Sequence, residues 1–373
     1  MKEGFRFHLP TSVHFGIGIL DALPDLLREL RGRIFFLAGN HLFQSPLHAR
    51  LLKLLDGFSV DAAPPVPPNP SPLNALTTSR LAREKGAEIV LAVGGGSVID
   101  MAKAVALLAN EEELSRCLRE GVPLGTTRLP LVAIPTTAGT GSEVTPWATL
   151  WDWEARRKYS LEGPGLFPDL TLVDPILTLS LPPSVTMASG LDALSHAVEA
   201  CWSRNRNPFS TLLALEAVRG LASGLPRVRR DPQDLKARSE VSQASLYAGL
   251  AFSQTKTAAA HALSYPLTLL YQVPHGVACS ITLPPLLPFN TEAAPEAASA
   301  IARALGAPDA EAGEKALSRL LREAGHPMRL SALGLGKGDV EALMQNGSYP
   351  ERMGYNPRPL SREDIKKILM AVF

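Results

Sequence analysis

The chain has 373 residues, of which 46% are hydrophobic and 20% charged, and its formal net charge is +1. This length exceeds what one hydrophobic core usually organises, so we expect two domains. The near-zero charge gives no electrostatic reason to expect a nucleic-acid or membrane partner. Three widely spaced cysteines, Cys117, Cys201 and Cys279, indicate neither a disulfide framework nor a cysteine zinc site.

The first half of the chain alternates apolar runs with amphipathic segments. The N-terminal residues lack the apolar core of a signal peptide, which predicts a cytoplasmic protein. Apolar runs typical of buried strands cover residues 33–39, 88–96, 129–137 and 170–175. Helical patterns cover residues 47–58, 76–87 and 97–110, and the Pro-rich stretch 63–72 predicts a rigid loop between a strand and a helix. This alternation predicts a parallel sheet covered by helices on both faces.

The second half of the chain has a different pattern. Residues 184–373 contain Ala- and Leu-rich helical periodicities broken by Gly and Pro, with few strand-like runs. We therefore place a domain boundary near Leu181–Ser184. The prediction is an α/β domain over residues 1–181 and a helical domain over residues 182–373.

A glycine-rich turn joins the apolar run 88–96 to the helix predicted after it. Glycines such as Gly95 and Gly96 let a phosphate approach the backbone, and the N-terminus of a helix offers unpaired N–H groups. We expect Ser97 to cap this helix, with Asp100 completing a variant of the capping box. An ordinary tight turn gives the same pattern, so this segment alone leaves both interpretations open.

A second segment of small and hydroxyl-bearing residues, IPTTAGTGSEVT (134–145), follows the next apolar run. The hydroxyls of Thr136, Thr137 and Ser142 suit hydrogen bonds to phosphate or ribose. Ligands of parallel sheets bind outside the carboxyl ends of the strands, where both segments fall. Two such loops together favour nucleotide binding.

Four residues of the second half form a candidate metal site. Asp192 and His196 are four residues apart, so one helix face presents both side chains, and His261 and His275 follow later. One carboxylate with three imidazoles suits a divalent first-row metal acting as a Lewis acid. Each residue alone has an ordinary alternative, as a surface pair, a core histidine or a loop residue. Their concentration in Ala-, Gly- and Pro-rich segments, where a buried polar group is costly, favours the metal site.

At these segments the sequence resembles the iron-containing (group III) alcohol dehydrogenases. The stretches GGGSVIDMAKA, PTTAGTGSEVT, GLDALSHAVEA and HA…PHGVACSITLP stand in that family's order and spacing, and the resemblance covers effectively the whole chain. It implies a Rossmann-like α/β domain followed by an all-α domain, the architecture shared with dehydroquinate synthase.

The resemblance also implies an activity. The expected reaction is hydride transfer between NAD(H) or NADP(H) and a small alcohol or aldehyde, in a homodimer or larger homo-oligomer. Fe²⁺, or Zn²⁺ in some members, would bind the residues matching the family's ligands, Asp192, His196, His261 and His275. Cofactor-binding positions carried over from the family are Gly95, Gly96, Ser97, Thr136, Thr137, Ser142, Asn69 and Lys158.

Two departures from the family pattern bear on specificity. Gly39 stands where many members have an aspartate that binds the adenosine ribose, so we expect NADP(H) to be used, alone or alongside NAD(H). Tyr265 replaces a histidine four residues after the third ligand, and Lys256 lies five residues before that ligand. The segment KTAAAHALSYPL resembles the phosphonoacetaldehyde-reductase branch, which favours a small anionic aldehyde with Tyr265 and Lys256 as catalytic residues. Lys256 as a solvated helix-start residue is the ordinary alternative.

Three other functions fit parts of this pattern. Dehydroquinate synthase is a NAD- and metal-dependent lyase of the same architecture, but its usual metal set is one glutamate with two histidines. Maleylacetate reductase typically lacks the aspartate that Asp192 provides. A non-catalytic nucleotide-binding protein would be indicated if the metal-loaded chain oxidised no alcohol.

Overall fold

The computed structural model describes residues 4–107, 116, 128–155, 157–346 and 350–373. Within it, the chain divides into two compact units. The α/β unit comprises Leu9–Thr137 and Gly141–Ser180, and the helical unit comprises Leu181–Phe373 with Ala138–Thr140 and the N-terminal residues as far as His8. Cys117 and residues 108–110 of the predicted helix 97–110 lie outside the described residues.

The α/β unit is built on a six-stranded sheet in which every pairing is parallel, in the order β1-β8-β5-β4-β2-β3. Its central strands are apolar throughout, as expected when both faces of a sheet are covered. A separate antiparallel hairpin, β6–β7, was not predicted from the sequence. The strands are β1 Ser12–Phe15, β2 Ile34–Ala38, β3 Val60–Ala62, β4 Ile89–Gly94, β5 Leu131–Pro135, β6 Trp147–Asp152, β7 Arg157–Glu162 and β8 Leu170–Val173.

Helices cover both faces of this sheet. The helices of the unit are α1 Leu23–Leu30, α2 Asn40–Phe43, α3 Pro46–Leu54, α4 Pro72–Glu84 and α5 Gly96–Ala106. One core cluster joins α4, α5 and the β6–β7 hairpin to the sheet, and a second joins α1 and α3 to its other face. The Pro-rich stretch connects β3 to α4, as predicted, and the side chain of Ser71 caps that helix by accepting from the backbone N–H of Asn74.

The helical unit begins with three long helices that pack on one another. Capping side chains define where two of them start, because Asn207 accepts from the N–H of Ser210 and Asp234 from the N–H of Ala237. The helices of the unit are α6 Pro183–Trp202, α7 Pro208–Arg230, α8 Leu235–Thr255, α9 Ala259–Tyr271, α10 His275–Ser280, α11 Leu283–Thr291, α12 Pro295–Ala304, α13 Ala310–Glu323, α14 Asp339–Asn346, α15 Pro350–Met353 and α16 Arg362–Ala371.

The predicted fold class, a parallel α/β unit followed by a helical one, is therefore confirmed. In the described part of the chain, no helix combines the length and the apolar character needed to cross a bilayer.

Candidate active site

Helix α6 carries three site residues on one face. Asp192, His196 and Glu199 stand at i, i+4 and i+7, which places them one above the other along the helix. All three are buried, with 4%, 6% and 0% of their surface exposed. Burying carboxylates and imidazoles costs free energy unless they are paired with other polar groups or bind a metal. The side chains on this helix face therefore need polar or metal partners.

The four predicted metal residues converge on one carboxylate oxygen. Oδ1 of Asp192 lies 3.6 Å from Nε2 of His261 and 4.0 Å from Nε2 of both His196 and His275. Of the polar atoms in the described residues, this oxygen and Nε2 of His261 are among those buried without a hydrogen-bond partner. Metal–ligand bonds of about 2.1 Å at tetrahedral angles put neighbouring nitrogen and oxygen ligands about 3.4 Å apart. The donor set and its spacing therefore fit a divalent metal.

Glu199 orients one of these histidines. Its carboxylate lies 2.6 Å from Nδ1 of His261 and accepts from the backbone N–H groups of Ala258 (2.9 Å) and Ala260 (2.6 Å). With Nδ1 donating to Glu199, the Nε2 atom of His261 is turned towards Asp192. Sequence reasoning missed Glu199, although its position three residues after His196 on the same helix face was a usable signal.

Burial and charge set the protonation of these groups. Burial opposes ionisation of Asp192, but the neighbouring imidazoles of His196, His261 and His275 hold the pKa of its carboxyl well below the usual value. Burial lowers the pKa of His196 to about 4. Burial would also lower the pKa of His261, but Cys279, Glu199 and Asp192 together raise it well above normal. At neutral pH, Asp192 is therefore charged and His196 neutral, the forms that bind metals, whereas His261 is protonated and would have to release the proton on Nε2 to bind one.

A glycine allows helix α10 to reach this face. A Cβ atom on Gly276 would stand 1.9 Å from the carbonyl oxygen of Ala188 and 2.9 Å from the nitrogen of Asp192. No side chain fits in that gap, so the backbone next to His275 lies directly against α6. This close contact between the two helices places His275 next to Asp192.

The two residues predicted to be catalytic have different environments. The Tyr265 ring is buried and stacks on His275, with centroids 6.1 Å apart and 10° between the planes. Lys256 follows α8 with φ 60° and ψ 172°, a conformation that side-chain-bearing residues rarely adopt. Its Nζ atom lies 5.5 Å from the ring centroid of Tyr355. Tyr265 is thus placed beside a predicted ligand, and Lys256 over an aromatic ring.

In the α/β unit, several predicted cofactor residues meet where β4 and β5 end. The backbone N–H of Asn69 donates to Oγ of Ser97 over 3.0 Å, and a Cβ atom on Gly95 would come within 3.2 Å of the Thr137 side chain. The N–H of Thr136 donates to the carbonyl of Gly94. The first turn of α5 thus faces both loops, an arrangement suited to a phosphate.

The predicted cap of α5 is wrong. The helix begins at Gly96, its N-cap residue is the extended Gly95, and no side chain caps it. Ser97 instead accepts from Asn69, far away in sequence, and Asp100 accepts from Oγ of Ser142 and from the N–H of Thr149. Both side chains form tertiary hydrogen bonds instead of the predicted capping box.

A buried lysine holds the second loop to α5. Lys103 is fully buried, and its Nζ donates to the carbonyl oxygens of Thr145 (2.8 Å) and Trp147 (2.6 Å). Burial lowers its pKa to about 8 and raises the pKa of the neighbouring Glu143 to about 7. These contacts position the segment that contains Ser142.

The remaining predicted cofactor positions lie apart from this turn along the chain. Lys158 is on β7, with its Nζ 5.4 Å from the Trp151 ring centroid. Gly39 follows β2 and forms an isolated parallel bridge with Val66. A Cβ atom on Gly39 would meet only ordinary contacts, at 3.7 Å or more.

Comparison with known proteins identifies the family. Residues 10–175 match the family described as iron-containing alcohol dehydrogenase, and residues 186–373 match the C-terminal part of the Fe-containing alcohol dehydrogenase family. The chain belongs to the iron-containing alcohol dehydrogenases. It is an oxidoreductase, and the predicted resemblance is confirmed. Membership in this family favours the dehydrogenase over the dehydroquinate synthase-like lyase and over a non-catalytic nucleotide-binding protein.

Relatives of this iron-containing alcohol dehydrogenase match it along nearly their whole length. It is 34% identical over 336 residues to the probable alcohol dehydrogenase EutG of Escherichia coli strain K12, covering 89% of this chain and 85% of the relative. It is 33% identical over 383 residues to the 1,3-propanediol dehydrogenase of Citrobacter freundii, covering 99% of both. The structure of the sulfoacetaldehyde reductase from Bifidobacterium kashiwanohense, in complex with NAD⁺, superposes with a TM-score of 0.92 at 29% identity, covering 99% of this chain and 98% of that one.

Proposed function

We propose that this alcohol dehydrogenase reduces a small anionic aldehyde with NADPH or NADH, at a metal bound by Asp192, His196, His261 and His275. The observation that carries the proposal is the convergence of three imidazole Nε2 atoms on Oδ1 of Asp192 within 4.0 Å. Fe²⁺ or Zn²⁺ there would act as a Lewis acid on the substrate oxygen. We assign the helical unit to metal binding and catalysis, and the α/β unit to the dinucleotide.

The residues of the chain supply orientation around the reacting carbonyl. Glu199 fixes the ring of His261, and the Gly276 contact fixes His275. Tyr265, stacked on His275, is the group we assign to donate a hydrogen bond to the aldehyde oxygen. Replacing Tyr265 with Phe should lower kcat about tenfold and leave metal content unchanged, because only one hydrogen bond is lost.

The dinucleotide is assigned to the turn between β4 and α5. Gly95, Gly96 and Ser97 would bind the pyrophosphate, with Thr136, Thr137 and Ser142 in the second loop and Asn69 and Lys158 beside them. The Asn69–Ser97 hydrogen bond and the approach of Gly95 to Thr137 support this assignment. When bound there, the nicotinamide cofactor would supply the hydride for aldehyde reduction or accept it from an alcohol. Gly39 has no carboxylate that would repel the 2′-phosphate of NADP(H). Its presence at this position supports the use of NADP(H) as cofactor.

The proposal of an anionic substrate depends on the positive charge of Lys256. Two residues after it, the N–H of Ala258 donates to Glu199, which ties this segment to the metal-site carboxylate. Its strained backbone, costing about 1–3 kcal/mol, is typical of residues held in place for function. A solved relative named for sulfoacetaldehyde, an aldehyde bearing a sulfonate, fits a cationic side chain in this role. The phosphonoacetaldehyde-reductase branch stays a prediction.

The substrate proposal is tested by a screen with matched aldehydes. Oxidation of NADPH and NADH is followed over neutral, carboxylated, sulfonated and phosphonated aldehydes, with protein reconstituted in Fe²⁺ and separately in Zn²⁺. Lys256→Met should raise KM roughly tenfold for the anionic aldehydes only, because it removes a hydrogen bond to a charged group. Lys236→Met, an exposed change on α8, is the control. An equal rise for neutral aldehydes would argue against Lys256 as the anion-binding residue.

A homodimer or larger homo-oligomer, which the family resemblance supports, and a cytoplasmic location also stay predictions. Light scattering coupled to size-exclusion chromatography tests the first. A monomeric mass would contradict it.

A further inference from the structure

A thiol lies among the proposed metal ligands. The ligand atoms of Asp192, His261, His275 and Cys279 all lie within 4.8 Å of one another. Cys279 is fully buried, and its Sγ is 3.5 Å from Nε2 of His275. We propose that Cys279 is a further ligand of the metal in this chain, an inference that rests on the proposed metal site.

The local fold explains why this thiol points to the site. Cys279 follows His275 by four residues on helix α10, so the two side chains share one helix face, as Asp192 and His196 do on α6. The Gly276 contact holds α10 against α6, so that face is turned towards Asp192. The same helix therefore brings both Cys279 and His275 close to the carboxylate of Asp192.

The distances agree with shared coordination. With Cys279 added to the four proposed ligands the metal would be five-coordinate, with angles of about 90–120° between neighbouring ligands. A metal–sulfur bond of about 2.3 Å and a metal–nitrogen bond of about 2.1 Å then put the two ligand atoms about 3.1–3.8 Å apart. The Cys279–His275 distance is 3.5 Å, and the His261–Asp192 distance of 3.6 Å is close to the nitrogen–oxygen value derived above. All four atoms lie within 4.8 Å of one another, and these two separations are those of neighbouring ligands on one metal.

A thiolate would change which metal the site prefers. Soft sulfur ligands favour Zn²⁺ over Fe²⁺, and zinc already stands above iron in the general order of affinities. Binding removes the thiol proton, which is released to solvent as the metal–sulfur bond forms. We therefore expect this chain to retain zinc in preference to iron, and Cys279→Ser to shift the bound metal severalfold towards iron.

Cobalt substitution tests the ligand directly. Co²⁺-loaded wild-type protein should show visible ligand-field bands and a near-ultraviolet thiolate-to-cobalt band. Cys279→Ser should lose the thiolate band and keep the ligand-field bands. Cys201→Ser is the control, because Cys201 is also buried but lies on α6 outside the group of four. A thiolate band that persists in Cys279→Ser would overturn the proposal.

A second measurement avoids any variant. X-ray absorption of the zinc-loaded wild-type protein should contain one sulfur scatterer in the first coordination shell. A shell of nitrogen and oxygen alone would refute the role of Cys279 and leave the proposed function intact. Failure of the wild-type protein to bind Co²⁺ or Zn²⁺ at all would contradict the proposed metal site itself.

Discussion

Replacing Glu199 with Gln tests how the proposed metal site is organised. The carboxylate accepts from three N–H groups, those of Ala258, Ala260 and the His261 ring. An amide of the same shape has one acceptor oxygen and turns its NH₂ towards a donor, so at least one N–H is left unpaired, at about 1–3 kcal/mol. Loss of a residue that orients a ligand costs about 10–100-fold in metal affinity. That factor equals about 1.4–2.7 kcal/mol.

The assay is competition with a chromophoric chelator, which gives the dissociation constant for Zn²⁺, together with thermal denaturation of the metal-free protein. Glu216→Gln is the matched control, since Glu216 pairs with Arg219 on the exposed surface of α7. We expect Glu199→Gln to weaken zinc binding at least tenfold and the control to leave it unchanged. Zinc affinity within twofold of wild type, with lowered stability, would show that Glu199 anchors only the backbone.

Three further predictions follow from single contacts. Gly276→Ala should weaken zinc binding more than tenfold, because its Cβ would collide with Ala188, whereas Gly338→Ala, which has open space, should not; chelator competition measures both. Glu143, ionised above pH 4.5 when unfolded but only above about 7 when folded, should make wild-type stability fall by about 3 kcal/mol as pH rises across that window. Glu143→Gln should remove that fall. If the melting temperatures of wild type and variant change by the same amount between pH 5 and pH 8, the raised pKa of Glu143 is refuted. Gly39→Asp should raise KM for NADPH at least tenfold with little effect on NADH, since the site has room for the side chain and the carboxylate repels a 2′-phosphate; unchanged constants would disprove this role.

The elements that could be predicted from the sequence share one property: burial of the element dictates a recognisable pattern of hydrophobic residues. The strands β2, β4, β5 and β8 are apolar at nearly every residue because both faces of their sheet are covered. The hairpin β6–β7 was missed because its partly exposed strands mix aromatic and charged residues. Such strands carry a weak pattern, and the two buried residues that face each other across the hairpin, Ala148 and Leu161, belong to the same core cluster as α5.

The proposed metal site could be predicted from the sequence because its ligands are recognised by their residue types. The i, i+4 spacing of Asp192 and His196 placed both on one face, and the structure brings His261 and His275 to it. Ser97 was misassigned because its actual partner comes from a distant loop, which no local capping pattern can show. Cys279 was set aside on cysteine spacing alone, although its position four residues after His275 was informative.

The unpaired atoms at Oδ1 of Asp192 and Nε2 of His261 have a consequence for how the stability of this enzyme depends on metal supply. Each burdens the metal-free fold with a desolvated polar atom, worth about 1–3 kcal/mol. A metal bound at these atoms would remove that cost, so the stability of the folded enzyme should rise with the concentration of free metal. The amount of folded enzyme in a cell should then follow the supply of metal, because only the loaded enzyme recovers the lost stability.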